Sequence, residues 1–473
     1  MFDGSAYRYR RQALIVAQFE GARRISELSA YPLSFHSDLK VVTQRLKDRG
    51  LKSLEYQSML CREYKGRALD LQNLDPEYHR DDDDKKNSRQ KYYDVSGRVV
   101  VDAAAARYHT YNLMRAQQRL QVPNTASENS AEQEALMKAF KAASGIADRP
   151  PNQEEQEVNR QMIGSIDLWL MIMEAHVPGF VLKEKRWFWL CIDQLCPPQW
   201  IQEAFDQLVL PEGRKDMVLS FVDTHQKTRK FGSDIISGKG KGLVVLLAGP
   251  TGTGKTLTVE AVSERAERPL YHLQAGELGS NPASVNQALK KAFALCSKWD
   301  AALLLDEADA LIRSRRHGNY AQEDLCCVLL ATLEYYSGVI FLTTNLPEDI
   351  DDAVASRLDI HLNYPNLDFS ARLQLWRSFL YLSKDNSDDE CVISLSDDEL
   401  QTVALWEING RDIKHTAKNA RKWCYIKGDP ITRSALEVAL QVTVPDVTTS
   451  HIEGGNGTGM GLQTGTRKRR RSG

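Results

Sequence analysis

The stretch LVVLLAGPTGTGKT, residues 243–256, decides the fold. Its first half, Leu243 to Ala248, is an unbroken apolar run, the pattern of a strand buried on both faces. Its second half is a complete G-x-x-x-x-G-K-[ST] motif: Gly249, Pro250, Thr251, Gly252, Thr253, Gly254, Lys255 and Thr256. The glycines let the backbone curl until successive N–H groups face one anion. A helix-compatible segment, Leu257 to Ala266, comes next, and its N-terminus adds partial positive charge. Lys255 can reach the β- and γ-phosphates of a nucleotide, and Thr256 can offer its hydroxyl to Mg²⁺. Strand, loop and helix in this order predict an α/β fold of the P-loop NTPase type, a parallel sheet flanked by helices.

The partners of the loop lie downstream. A second apolar run, Ala301 to Leu305, leads into Asp306-Glu307. An Asp at the carboxyl end of a strand beside the loop can hold Mg²⁺ through water, and the neighbouring Glu can polarise the attacking water. The plain alternative is an acidic turn. A third run, Val339 to Thr344, ends at Asn345. Its amide can orient water against the γ-phosphate, or simply form a turn before Pro347. Next comes Arg357, suited to stabilising transition-state charge from a neighbouring subunit. A surface ion pair is its alternative. Asn409-Gly410-Arg411-Asp412 opens an amphipathic helix with Ile413, Ala417 and Ala420 on one side. Arg411 thus starts a helix in a later all-helical segment, where capping is the plainer role.

Composition narrows the rest. At 473 residues the chain should hold two to four domains, taking about 150 residues each. Lys and Arg number 61 against 63 Asp and Glu, a net charge of −2, which argues against a nucleic-acid partner. Mean hydropathy is −0.43 and the apolar runs are short, so no membrane span is expected. Eight cysteines without paired CxxC knuckles argue against structural zinc and a disulfide scaffold. Reduced thiols in cytoplasm or nucleus are expected. The apolar run Ala13 to Ala17 is too short for a secretory leader. His79-Arg80 before Asp81–Asp84 echoes a kinase catalytic loop, but Lys86 stands where that loop needs Asn, so a solvated charged loop is expected.

These signals divide the chain. Residues 1–122 read as an N-terminal α+β domain with short β-rich runs at Ala13–Ala17 and Val99–Val101. Residues 123–160, rich in Pro, Asn, Ser, Glu and Gln, read as a flexible linker with a helix at Ala131–Ala143. Residues 161–235 read as a pre-ATPase segment packing on the core, with a helix near 213–229. Residues 236–367 form the P-loop core and 368–446 a small helical lid. Residues 447–473 form a disordered tail closing on the basic run 467–471, a candidate nuclear-import patch.

Taken together, GPTGTGKT (249–256), LLLDEAD (303–309), FLTTN (341–345), ASRLD (355–359) and NGRD (409–412) resemble an AAA+ ATPase module spanning residues 242–445. Beyond it, YPLSFH (31–36), RVVVDA (98–103), VPGFVLKEKRW (177–187) and LEYYSG (333–338) resemble a fungal group of AAA-family ATPases with an N-terminal domain of unknown function. The resemblance implies Walker A at Gly249–Thr256, Walker B at Asp306 and Glu307, sensor 1 at Asn345, an arginine finger at Arg357 and sensor 2 at Arg411. It implies ATP and Mg²⁺ as ligands, a homo-oligomer with a hexameric ring among the candidates, and hydrolysis coupled to remodelling an unidentified protein client.

Three features depart from the common pattern. The finger lacks a first arginine, since Val354-Ala355-Ser356 precedes Arg357. Arg411 stands where many members carry a small residue. The interval Gly276 to Pro282 holds no aromatic of the kind that grips a threaded polypeptide. A DEAD-box helicase is not expected: such helicases pair the DEAD letters with a Ser-Ala-Thr motif, where this chain has Thr343-Thr344-Asn345, and they need a second RecA-like domain. A DNA-dependent AAA+ ATPase and a non-hydrolysing nucleotide-switched scaffold remain as competing readings.

Overall fold

The computed structural model describes residues 24–25, 31–56, 58–71, 92–109, 153–206, 208–209, 213–228, 242–279, 281–314, 320–382 and 392–444. The expected strand at 13–17, the charged loop at 79–86, the helix at 131–143 and the tail from 447 lie outside these residues.

The N-terminal region opens with α1 (Leu39–Glu55), followed by the antiparallel pair β1 (Leu60–Asp70) and β2 (Tyr92–Val101). Then come α2 (Ala103–His109), α3 (Gln153–Gly164), α4 (Asp167–Met171), the hairpin β3 (His176–Val181) and β4 (Arg186–Cys191), and the short β5 (Leu195–Cys196). β2 pairs with β3, β3 with β4, and β4 returns to β1 through Leu69↔Trp189, so the four strands close on themselves. β5 pairs with the start of β1 through Glu63↔Cys196. Alternate residues fill the interior, among them Tyr64, Val95, Val99, Val181, Phe188 and Leu190.

This closure corrects the sequence division. Residues 161–235 do not pack on the ATPase core as one separate segment, because their strands complete the N-terminal sheet. The reason is strand pairing between residues distant in sequence, which local composition does not reveal. The linker boundary also moves: α3 begins inside the expected linker because Ile163 has an apolar bed of Leu54, Trp169 and Leu170. The parts of 161–235 that do meet the ATPase core are α5 (Glu203–Asp206) and α6 (Arg214–Thr228), through Phe205, Val218 and Val222, and the β3–β4 hairpin, through Phe180 and Trp187.

The nucleotide-binding core alternates strands and helices: β6 (Leu243–Ala248), α7 (Lys255–Arg265), β7 (Leu270–Gln274), α8 (Pro282–Trp299), β8 (Ala302–Asp306), α9 (Asp309–Ile312), α10 (Tyr320–Leu333), β9 (Val339–Thr344), α11 (Asp352–Ala355) and β10 (Ile360–Asn363). The strands form a parallel sheet in the order β10-β6-β9-β8-β7. All six residues of β6 are buried. Val245 and Leu247 face the layer containing α7, while Leu246 and Ala248 face the layer containing α8 and α10. Chain order reverses where β6 neighbours β9, the crevice in which open α/β sheets bind ligands.

The lid follows as α12 (Phe369–Arg377), α13 (Asp397–Ala404), α14 (Gly410–Lys427) and α15 (Arg433–Thr443). Side chains of Asp368, Ser396, Asn409 and Thr432 cap the four N-termini, and Gly428 closes α14 in the left-handed region at φ 72°. Trp376 and Trp406 meet edge-to-face at 6.0 Å in its core.

The barrel and the ATPase core share an apolar cluster. Phe180 and Trp187 from the β3–β4 hairpin pack on Tyr271 and Trp299, with the Phe180 ring 5.7 Å from Tyr271 and 5.1 Å from Trp299. Buried Asp102 accepts from Lys298 Nζ at 2.6 Å and Trp299 Nε1 at 3.0 Å. Arg98 pairs with Glu264 of α7, with Nη2 2.6 Å from Oε2, and lies 3.9 Å over the Trp200 ring.

Candidate functional site

The site occupies the carboxyl edge of the parallel sheet, where β6, β8 and β9 end side by side. The phosphate loop leaves β6 through Gly249 and turns at Gly252 (φ 75°). A Cβ at Gly252 would lie 2.4 Å from Asn409 Oδ1. Glycine is needed there both for the dihedral and for the approach of the lid. Gly410 N–H donates to Gly252 O at 2.9 Å, so the N-terminus of α14 rests directly on the loop.

Lys255 and Thr256 open α7. The Lys255 ammonium donates to Gly249 O and Pro250 O at 2.7 Å each and to Asn345 Oδ1 at 2.9 Å. Burial pulls its pKa below the ordinary lysine value, and Arg411 acts in the same direction, while Asp306, Asp309 and Glu307 oppose them. Thr256 Oγ1 lies 3.1 Å from Asp306 Oδ1 and 3.2 Å from Oδ2. Asp306 is held below the usual carboxylate range. Burial opposes that shift, but hydrogen bonds from His272, Thr343 and Thr256 overcome it.

Glu307 is exposed and sits at φ 53°, a conformation that costs a non-glycine residue about 1–3 kcal/mol. Its N–H donates to Thr343 Oγ1 at 2.9 Å, and the same hydroxyl donates to Asp306 Oδ1. One threonine on β9 thus fixes both acidic residues. Asn345 follows β9, and its N–H donates to Asp309 Oδ1 at 3.0 Å. Thr344 Oγ1 donates to the same carboxylate.

Arg357 lies on the exposed turn after α11, where its Nη1 donates to Ala353 O at 3.0 Å. Asp359 secures that turn against β6: its N–H donates to Val244 O, and its Oδ2 accepts from Val244 N at 2.7 Å. Arg411 lies exposed in the first turn of α14, close enough for its charge to act on Lys255. The structure therefore brings together Gly249–Thr256, Asp306, Glu307 and Asn345, adds the charge of Arg411 from the lid, and leaves Arg357 exposed on the turn after α11.

Sequence reading missed four contributors. Asp309 was visible in LLLDEAD, where it stands three residues after Asp306, yet only the structure shows it fixing Asn345. Thr343 and Asn409 lay inside quoted motifs without an assigned part. His272, whose Nε2 is 3.2 Å from Asp306 Oδ2, gave no motif signal, because it lies on the edge strand β7 far from the acidic pair in sequence. Among the described residues no group of three or more His, Cys, Asp or Glu side chains is placed to hold a metal ion by itself.

Parts of the chain are similar to known proteins. The model of the ATPase family associated with various cellular activities (AAA) matches residues 245–366. A domain of unknown function, DUF7025, matches residues 1–37. The outer mitochondrial transmembrane helix translocase of Danio rerio is 28% identical over 191 residues, 38% of this chain and 50% of that protein. The ATPase family AAA domain-containing protein FIGL1 of Arabidopsis thaliana is 29% identical over 201 residues, 40% of this chain and 28% of that protein. The ATP-dependent zinc metalloprotease FtsH of Pirellula staleyi is 32% identical over 170 residues, 33% of this chain and 23% of that protein. The chain thus spans half or less of these curated relatives. The crystal structure of the FIGL-1 AAA domain in complex with ADP superimposes with a TM-score of 0.40 at 18% identity, covering 52% of this chain and 86% of that one. Residues 245–366 belong to the AAA family of ATPases, whose members are ATP hydrolases.

Proposed function

We propose that this protein is a Mg²⁺-dependent AAA+ ATPase that hydrolyses ATP to ADP and phosphate as a homo-oligomer and uses the cycle to remodel a protein client. The observation that carries the reading is the constellation at the sheet edge: Lys255 bonded to Asn345, Thr256 bonded to Asp306, and Glu307 exposed beside them. The Thr256 hydroxyl and Asp306 carboxylate are adjacent hard oxygen donors, and Mg²⁺ takes oxygen ligands while keeping several waters. The pair fits that ion, which when bound supplies positive charge against the phosphates.

The remaining work belongs to the chain's own groups. Lys255 exchanges its two loop carbonyls for phosphate oxygens, a favourable trade because a buried ammonium gains most from a fully charged partner. Glu307, whose backbone is pinned by Thr343, accepts a proton from the attacking water. Asn345, pinned by Asp309, keeps its amide directed into the site and orients that water. Arg411 adds lid charge near the phosphates. Arg357, exposed on the turn after α11, acts on a neighbouring subunit's site, and this is why the reading requires an oligomer.

The likeness to a translocase and an ATP-dependent metalloprotease supports a protein client. The segment Ala275–Leu278, where Glu277 caps its own turn and pairs with Lys185 of the barrel, supports remodelling without an aromatic threading loop. The resemblance to a fungal group and a cytoplasmic or nuclear site of action complete the proposal. Among the described residues no helix is long and apolar enough to cross a membrane. The test is direct. Lys255→Ala should lose nucleotide binding, whereas Glu307→Gln should retain it and release no phosphate, since an amide accepts no proton. Hydrolysis at the wild-type rate by Glu307→Gln refutes the assignment. Captured on the ATP-locked variant, the client becomes identifiable.

A further inference from the structure

The carboxylate of Asp306 is held from three sides. Thr256 comes from α7, Thr343 from β9, and His272 from β7. The three differ in where they sit. The Thr256 hydroxyl belongs to the loop itself and can offer a lone pair to a cation while its O–H still donates to Asp306. His272 and Thr343 hold the carboxylate from outside the loop, one on each flanking strand.

His272 reaches Asp306 by the geometry of a parallel pair. The register sets His272 opposite Leu304 and Gln274 opposite Asp306, so His272 is diagonal to the carboxylate. Strand alternation puts residues 270 and 272 on the face covered by α7, with Leu304 and Asp306 on the same face of β8. Tyr271 and Leu273 point into the opposite core, which fixes the strand against rotation. An ionised carboxylate only accepts, so Nε2 carries the proton and donates to Oδ2. Glu260 and Glu277 are the other carboxylates whose charge interacts with this imidazole.

We propose that His272 is a positioning residue for Asp306: its Nε2–H restrains rotation of the carboxylate from the strand opposite Thr343, and so sets the affinity of the site for Mg²⁺ with nucleotide. Outer partners of metal ligands matter on this scale, about 10–100-fold in metal affinity. The inference rests on the reading of Asp306 as the Mg²⁺-side carboxylate. It assigns His272 no contact with nucleotide.

Binding of a fluorescent, non-hydrolysable ATP analogue to the full chain, titrated with Mg²⁺ from a metal-free start, tests it. In His272→Leu, which keeps bulk and removes the donor, the Mg²⁺ midpoint should rise about tenfold with metal-free analogue affinity unchanged. His272→Gln, which restores an N–H at similar reach, should return the midpoint to within about threefold of wild type. A wild-type midpoint in His272→Leu overturns the inference, as does a loss in His272→Gln equal to that in His272→Leu. Asp306→Asn separates this from failure of the underlying reading. If Asp306→Asn leaves the midpoint in place, the Mg²⁺ assignment itself is wrong. If it moves the midpoint and His272→Leu does not, only the role of His272 falls.

Discussion

Replacing Asp102 by alanine should loosen the barrel from the ATPase core while leaving the nucleotide-site residues untouched. Asp102 is 4% exposed and serves three donors: Trp299 Nε1 at 3.0 Å, Ala105 N at 2.8 Å and Lys298 Nζ at 2.6 Å. The indole bond to a buried carboxylate contributes about 2 kcal/mol, the value for hydrogen bonds to charged groups. The Ala105 bond is an N-terminal cap on α2, about 1 kcal/mol. Lys298 is 43% exposed and screened by water, so its share is under about 0.5 kcal/mol. The cap stays within the N-terminal region, so the loss across the interface itself is about 2 kcal/mol.

Amide hydrogen exchange read by mass spectrometry reports that quantity segment by segment. Peptides covering 92–101 and 282–299 should exchange about thirtyfold faster in Asp102→Ala, since each 1.4 kcal/mol is worth about a factor of ten. The lid peptide 410–427 should not change. Asp102→Asn, which keeps an acceptor and loses the charge, should fall about halfway. Exchange in Asp102→Ala within about threefold of wild type at both interface peptides would show that the aromatic cluster alone holds the two parts together, and the energetic reasoning above would be refuted.

Two further outcomes follow from the same coordinates. Arg357→Ala mixed with Glu307→Gln should recover hydrolysis that neither has alone, because each supplies what the other lacks across one interface; a fully active monomer at all concentrations would refute the trans assignment. Burial pushes the Cys61 thiol up to about 11, so the folded chain keeps it neutral where an unfolded chain begins to ionise near pH 8.5. Iodoacetamide at pH 8 should therefore modify exposed Cys196 and Cys327 well before Cys61, and equal rates by peptide mass spectrometry would contradict its environment.

The P-loop half of the fold was legible because its signals are local. An apolar run, a glycine-rich turn and a lysine must adjoin in sequence to work, and β6, the loop and α7 do so. The acidic pair and Asn345 were legible for the same reason, each standing where a buried strand ends. Their supports were not, because Thr343, Asp309 and His272 act sideways between strands that are neighbours only after folding. The barrel was least legible. Tyr64 pairs with Leu195 and Val99 with Val181, and the stretch of sequence between β2 and β3 disguises that pairing as two separate segments.

That misreading bears on what the ATPase module is. A boundary at residue 236 treats the module as complete, yet the face of Tyr271 and Trp299 is covered by Phe180 and Trp187 from the barrel. The same barrel grips α7 through Glu264, the turn after β7 through Glu277, and α8 through Trp299. Those three elements carry or flank the phosphate loop and His272. A shift of α7 on nucleotide binding therefore acts against a bidentate ion pair, and a shift of β7 or α8 against packed aromatic rings; close-packed interfaces transmit strain rather than absorb it. The N-terminal region is thus part of the mechanical surroundings of the site, a property that a module boundary drawn from motifs alone removes from view.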